Sequence, residues 1–307
     1  MHYIEIPDTG MKRYIPENLA ECDEQQYIHM CELLFKYHTG QISEDDFFYH
    51  AVYKLMNMVP KESKDGKPKE KYYNVVLIQE LIESTFFTKE ENTEGGYKLN
   101  IIQNYIHNPI PTFKLWQTYY GPSDSFQNMK IGEYTAALKL FLQFNASGDI
   151  DLLYELAATL YRRKKWFHFI LKRLPKYDGD CRQLYNVHNV EKRIKTMKYA
   201  PIGFIYGIYL YFASMQIIVS SAEVPWGDKV LDFSILFSGS DNTSKIEAAD
   251  IGLDSVIFAM SESGAFGDFE KVNQAPFWNM MIKMYDSRVK QLQLEKQQED
   301  ANSQSPS

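Results

Sequence analysis

The residues best suited to chemistry sit in one short stretch, Tyr177-Asp178-Gly179-Asp180-Cys181-Arg182-Gln183. Two carboxylates around a glycine could hold a cation, and Cys181 could serve as a nucleophile if its thiolate were stabilised. A calcium loop of the EF-hand kind needs further oxygen ligands and a closing glutamate, which this stretch does not supply. Asp and Gly in these positions also make an ordinary turn, and that is the plainer reading. His168 lies among aromatics in Lys-Trp-Phe-His-Phe-Ile-Leu, a setting that suits a core or boundary histidine better than a general base. Ser261 and Ser263 have no basic residue after them until Lys271, so neither has a base close in sequence to activate it. Phosphate-loop, dinucleotide, nucleophile-elbow and zinc-protease patterns are all missing from the chain. The expectation is a protein with no catalytic residues, no metal and no cofactor.

A second constellation suggests binding. The apolar run from Leu152 leads directly into Arg162, Arg163, Lys164 and Lys165. Read as the end of a helix, these cations complement the macrodipole, but one or two would suffice for that. From Arg162 to Arg182 the chain holds eight cations and two acids, with Trp166, Phe167, His168 and Phe169 interleaved. Aromatics among cations can stack single-stranded nucleic acid or meet an acidic helical partner. A formal net charge of -7 argues against a general nucleic-acid surface and makes the protein partner the more economical reading. Met280, Met281 and Met284 follow Pro276 on one side of a last helix, and methionine-rich faces adapt to varied apolar partners. The expected partner-binding residues are therefore Arg162, Arg163, Lys164, Lys165, Trp166, Met280, Met281 and Met284.

The elements that must position these residues read as mostly helical. Of the 307 residues, 45% are hydrophobic and 15% aromatic, enough for a real core in one large or two smaller domains. Asp23 and Ser43 are expected N-caps for helices stopped near Gly40 and Pro60. A third helix is expected from Tyr72 to Phe87, followed by an exposed loop over Thr-Lys-Glu-Glu-Asn-Thr-Glu-Gly-Gly-Tyr-Lys. Three prolines and five aromatics between Asn108 and Phe126 make an irregular connector. Beyond it, Met129–Asn145 and Ile150 to about Arg162 are expected helices, separated by Gly148 and capped by Asp149. Further helices are expected near Leu253–Ser261 and over Phe277–Gln298. Lys229–Phe237 is too short for periodicity to distinguish strand from helical turn. The fold expectation is an all-α multi-helix bundle with an irregular proline-rich connector and room for one minor strand pair. Its domains are 1–107, a connector at 108–128, 129–298, and a disordered tail at 299–307.

Ala200–Val219 is long enough to cross a bilayer but carries Ser214, Gln216, three tyrosines and two glycines, so a central buried helix is expected. Gly203 and Gly207 would share one face and admit a neighbouring helix closely. Three cysteines in neither redox nor zinc spacing read as reduced thiols of a cytosolic protein. The first ten residues show neither a basic nor an apolar signal region, which fits the same compartment.

Three segments carry a family resemblance: MKIGEYTAALKLF from Met129, DLLYELAATLYRRKK from Asp151, and SVIFAMSESGAFGDFEKVNQAPFWNMMIKMYDSRVKQ from Ser255. Their order resembles that of phage and prophage tail assembly chaperones. Arg163 stands where those proteins usually carry a proline. The first half of the chain is similar to an uncharacterised prophage-borne family of gut bacteria. The resemblance implies a non-enzymatic helical protein in the host cytoplasm that keeps a long helical tape-measure protein soluble while the tail tube forms. It also admits a homo-oligomer, or a structural tail or neck component of the particle. The other reading is an enzyme using the Asp178–Cys181 loop.

Overall fold

In the computed structural model, residues 2–6, 11–59, 69–91, 96–175, 177–221, 223–226, 229–236, 261 and 268–303 are described. Apart from Ser261, the helix expected at Leu253–Ser261 lies outside them. The chain opens with strands β1 (His2–Ile6) and β2 (Met11–Ile15), then helices α1 (Glu24–His38), α2 (Glu44–Leu55) and α3 (Lys69–Phe86). Strands β3 (Phe87–Glu91), β4 (Tyr97–Ile101), β5 (Thr112–Lys114) and β6 (Thr118–Tyr120) precede α4 (Ile131–Ser147) and α5 (Ile150–Leu160). Next come β7 (Arg162–Arg163), α6 (His168–Leu171), α7 (Val190–Met197) and α8 (Ile202–Ser221). Strands β8 (Glu223–Trp226) and β9 (Lys229–Asp232) lead to α9 (Phe269–Asn273) and α10 (Phe277–Ser303).

The protein is mostly helical, but the all-α expectation needs correcting. Small antiparallel sheets β1-β2, β3-β4, β5-β6-β7 and β8-β9 are present among the described residues. The prolines of the connector prevent an α-helix between Pro109 and Pro122, and Thr112–Lys114 and Thr118–Tyr120 pair as strands instead. Residues 299–303 of the expected tail lie in α10, and residues 304–307 lie outside the described residues.

The chain divides into two compact units. The first comprises Met1–Pro111 and Lys195–Ser214, the second Thr112–Ile194 and Met215–Ser307. Lys195–Ser214 thus clusters with the N-terminal residues, and the proline-rich connector is shared between the two units at Pro111.

In the first unit, Asp23 forms a capping box with Gln26 at the start of α1, and Ser43 accepts from the Asp46 amide to start α2. Each such cap stabilises by about 1 kcal/mol. Gly203 and Gly207 do admit a neighbour: a Cβ on Gly203 would overlap the Ile28 carbonyl oxygen, and one on Gly207 would press on the Tyr27 ring. The Tyr27 hydroxyl donates to the Gly207 carbonyl at 2.8 Å, and the Ser214 hydroxyl donates to the Tyr105 carbonyl while accepting from the Tyr105 amide. These bonds satisfy polar groups that burial would otherwise penalise. α8 is long and apolar enough to cross a membrane, and most of its length is buried within the protein.

In the second unit, α4 ends at Gly148, whose φ of 69° closes the helix in the left-handed region, and Asp149 caps α5. The two helices form an antiparallel hairpin. Backbone bonds from Ile131 to Ala275 and from Phe277 to Met129 tie the start of α4 to the start of α10. Phe277 packs on Tyr134 with ring centroids 4.4 Å apart and meets Phe126 edge-on. This aromatic core fixes the first turn of α4, and with it the position of Glu133.

Candidate functional site

The basic cluster does not end a helix. α5 stops at Leu160, Tyr161 is extended, and Arg162-Arg163 form β7, paired with Tyr120 and Tyr119 of β6. Lys164 then bridges to Arg182, the Lys165 amide donates to the Cys181 carbonyl, and the Gln183 amide donates to the Arg163 carbonyl, both at 2.8 Å. The two stretches singled out in the sequence, Arg162–Lys165 and Tyr177–Gln183, thus lie side by side. Strand geometry sends successive side chains to opposite faces. Arg162 turns inward and is buried, while Arg163 is exposed.

Beneath the cluster lies a charge network with almost no solvent contact. Arg182 donates to both oxygens of Glu133, at 2.7 and 3.1 Å, and through Nε to Asp180 Oδ1 at 2.9 Å. Its remaining capacity goes to the carbonyls of Leu160 and Asn128. Arg162 Nη2 donates to Glu133 Oε2 at 3.0 Å and lies 3.5 Å from Asp180 Oδ2. The Arg162 Nε and Nη1 groups have no hydrogen-bond partner among the described residues. Burial lowers the Arg162 pKa and Glu133 only partly offsets it, whereas for Arg182 the Glu133 and Asp180 carboxylates outweigh burial and raise it. Arg193, donating through Nε to the Ala158 carbonyl at 2.7 Å, is lowered to about 10 by burial and by Arg162.

Nearer the surface, Asp178 bridges Lys130 at 3.1 Å and Lys165 at 3.2 Å. Lys165 also lies over the Tyr177 ring, and Lys164 lies over Tyr120 at 5.5 Å. Burial raises the Asp178 carboxyl, but Lys130 and Lys165 together hold it below its usual range.

Above this frame the chain turns outward at Phe167, whose φ is 56°, into the short helix α6. Trp166 is 81% exposed and Phe169 61%, with Phe167, Ile170 and Leu174 also exposed. Lys164, Lys172 and Arg173 are exposed beside them.

The expected partner-binding set is thereby divided. Arg163, Lys164 and Trp166 face solvent. Arg162 does not, because it is held inside by Glu133 and Asp180, and Lys165 is half-buried against Asp178. Met280 and Met281 are buried in the second unit's own core, and Met284 is half-buried, so the first half of α10 offers no free methionine face. Sequence reasoning missed Glu133, the acid that joins both arginines. Its signal was a lone carboxylate between Ile131 and Tyr134, both buried. It also passed over Ile170 and Leu174, which are exposed in the same short segment as Trp166, Phe167 and Phe169.

The groups of the alternative enzyme reading are constrained as well. Asp180 and Arg182 bond each other. Burial and then Asp180 push the Cys181 thiol up, which disfavours the thiolate. Slight burial and the neighbouring Lys164, Lys172 and Lys165 lower the pKa of His168, whose Nδ1 lies 3.5 Å from the Tyr177 hydroxyl. Among the described residues, no three His, Cys, Asp or Glu side chains converge as metal ligands.

No protein-family profile, curated protein or solved structure matches this chain. The functional reading therefore rests on the surface at Trp166–Leu174 and on the network that anchors it.

Proposed function

We propose that the chain is a non-enzymatic interaction protein of the phage tail assembly chaperone type. In this reading it works in the host cytoplasm and keeps a long helical tape-measure protein soluble until the tail tube encloses it. The observation that carries the reading is the exposed apolar surface from Trp166 to Leu174, anchored to the buried Glu133–Arg162–Arg182–Asp180 network. A soluble chain that leaves several large apolar side chains together in water favours a partner for them. Helix-in-groove or helix-on-face recognition needs no cofactor. The Asp178–Cys181 loop supports this role by holding the basic strand in place, and its charged groups are engaged in doing so.

The test is cross-linking in phage-producing cells of the native host, followed by isolation of the chain and mass spectrometry. The expected product joins residues 166–174 to one long, helical phage protein. Recovery of no phage protein sinks the reading. A second reading, a structural tail or neck component, is favoured by the exposed second half of α10, where Leu292 and Leu294 face solvent. It requires the chain in purified particles, from which a chaperone is absent.

A further inference from the structure

We propose that the Trp166–Leu174 surface recognises an acidic amphipathic helix, with its apolar face on the exposed side chains and its flanking carboxylates on Lys164, Lys172 and Arg173. The inference rests on the interaction-protein reading and specifies the chemistry of the partner. Charge complementarity carries it. From Arg163 to Tyr177 the chain contains no acidic residue. The protein's own carboxylates nearby are already engaged, Asp178 by Lys130 and Lys165, and Asp180 by Arg162 and Arg182. Arg163, Lys172 and Arg173 have no carboxylate partner among the described residues. The Lys164 ammonium lies over the Tyr120 ring face and has no carboxylate partner among the described residues. The internal network thus takes up Arg162 and Lys165 and leaves the outer cations for an external anion.

The apolar part of the surface separates a helix from nucleic acid. Base stacking uses flat rings. Here Ile170 and Leu174 stand exposed with Trp166, Phe167 and Phe169, and branched aliphatics suit packing against leucine-type side chains. The aromatic side chains are not spaced as separate platforms either. Trp166 and Phe167 lie 5.9 Å apart between centroids, and Phe167 and Phe169 6.4 Å, so they form one cluster. An overall charge of -7 opposes long polyanions while leaving this basic patch free to take a few carboxylates.

The experiment titrates the full chain into a labelled helical peptide of about 20 residues, long enough for several turns, with leucines on one face and glutamates flanking them. Fluorescence anisotropy is read, with a lysine-flanked peptide, a serine-faced peptide and an oligo-dT strand as comparisons. The glutamate peptide is expected to bind roughly tenfold or more tighter than each comparison. Its affinity should fall as salt rises from about 50 to about 300 mM. The exposed substitutions Trp166→Ser with Phe169→Ser should weaken it, and Lys172→Glu with Arg173→Glu should transfer preference to the lysine peptide, with circular dichroism unchanged. Equal binding of glutamate and lysine peptides overturns the proposal, as does tighter binding of oligo-dT. Recovery of a tape-measure-type protein by cross-linking, indifferent to these variants, would keep the functional reading and discard this surface. Selective peptide binding without any helical phage partner in the host would do the reverse.

Discussion

Arg182 donates from Nη1 to Glu133 Oε1 at 2.7 Å in a place where neither side chain reaches solvent. This contact joins the first turn of α4 to the loop after Asp180, and Arg162 adds β7 to the same carboxylate. Buried ion pairs gain little over apolar packing, because two charges must be stripped of water. Their consequence is geometric: three segments distant in sequence are held in one arrangement, and the surface above inherits it.

Removing Glu133 leaves two buried guanidinium groups facing each other. Glu133→Ala should cost about 3–5 kcal/mol, the usual penalty for breaking a buried pair from one side. Arg182→Met should be more damaging than Arg162→Met, since all of Arg182's bonding directions are used whereas two donor groups of Arg162 have no partner among the described residues. Urea midpoints decide the order, and a reversed ranking would contradict this account of the network.

Asp178 predicts an acid-dependent effect. Its folded pKa lies below the usual value, so its contribution is present above about pH 4 and disappears as pH falls through the folded value. Asp178→Asn should be less stable than the parent at neutral pH by up to about 1 kcal/mol, a small figure because the pair is partly in water. The gap should close on acidification below about pH 4 and shrink in high salt. A gap that persists unchanged at low pH would remove the two lysines as its cause.

The glycines of α8 differ in what surrounds them. Gly203→Ala meets backbone at Ile28, which cannot step aside, and should destabilise the protein by about 1–3 kcal/mol or more. Gly207→Ala meets side chains, the Tyr27 ring and Cys31, at a longer distance rather than backbone, and should cost less. Thermal melts of the two variants compare them directly. Equal losses would argue against the close approach of α1 at Gly203.

The three thiols should react unequally. Burial raises the pKa of Cys22 and Cys31, and both side chains are nearly inaccessible, while Cys181 is half-buried with its pKa raised less far from the ordinary range. Native labelling with a thiol reagent at neutral pH should modify Cys181 first, with the other two following only after denaturation. Fast native labelling at Cys22 or Cys31 would contradict the packing around α1.

Much of the local architecture was legible because its determinants are local. Asp23, Ser43, Gly148 and Asp149 cap or close helices through atoms a few residues away. The close approach at Gly203 and Gly207 follows from their shared face. The β3-β4 hairpin was read as a loop because only Phe87 and Leu99 along it are buried, so apolar alternation never marks it. β7 was hidden for a different reason. Its apolar approach continues a helical pattern through Tyr161, and the strand that captures it, Thr118–Tyr120, comes from a separate part of the chain. Glu133 was invisible as a hub for the same reason, since both of its partners arrive through tertiary structure.

The two-residue strand Arg162–Arg163 also fixes how this region can change. One arginine faces in and the next faces out, an assignment set by parity along the strand rather than by side-chain type. Exchanging outer cations alters the surface and leaves the frame alone. Deleting or inserting one residue between Leu160 and Trp166 shifts that parity, carrying an arginine out of the network and displacing the aromatics together. Variation here should therefore proceed by substitution at constant length, with changes in length tolerated in pairs.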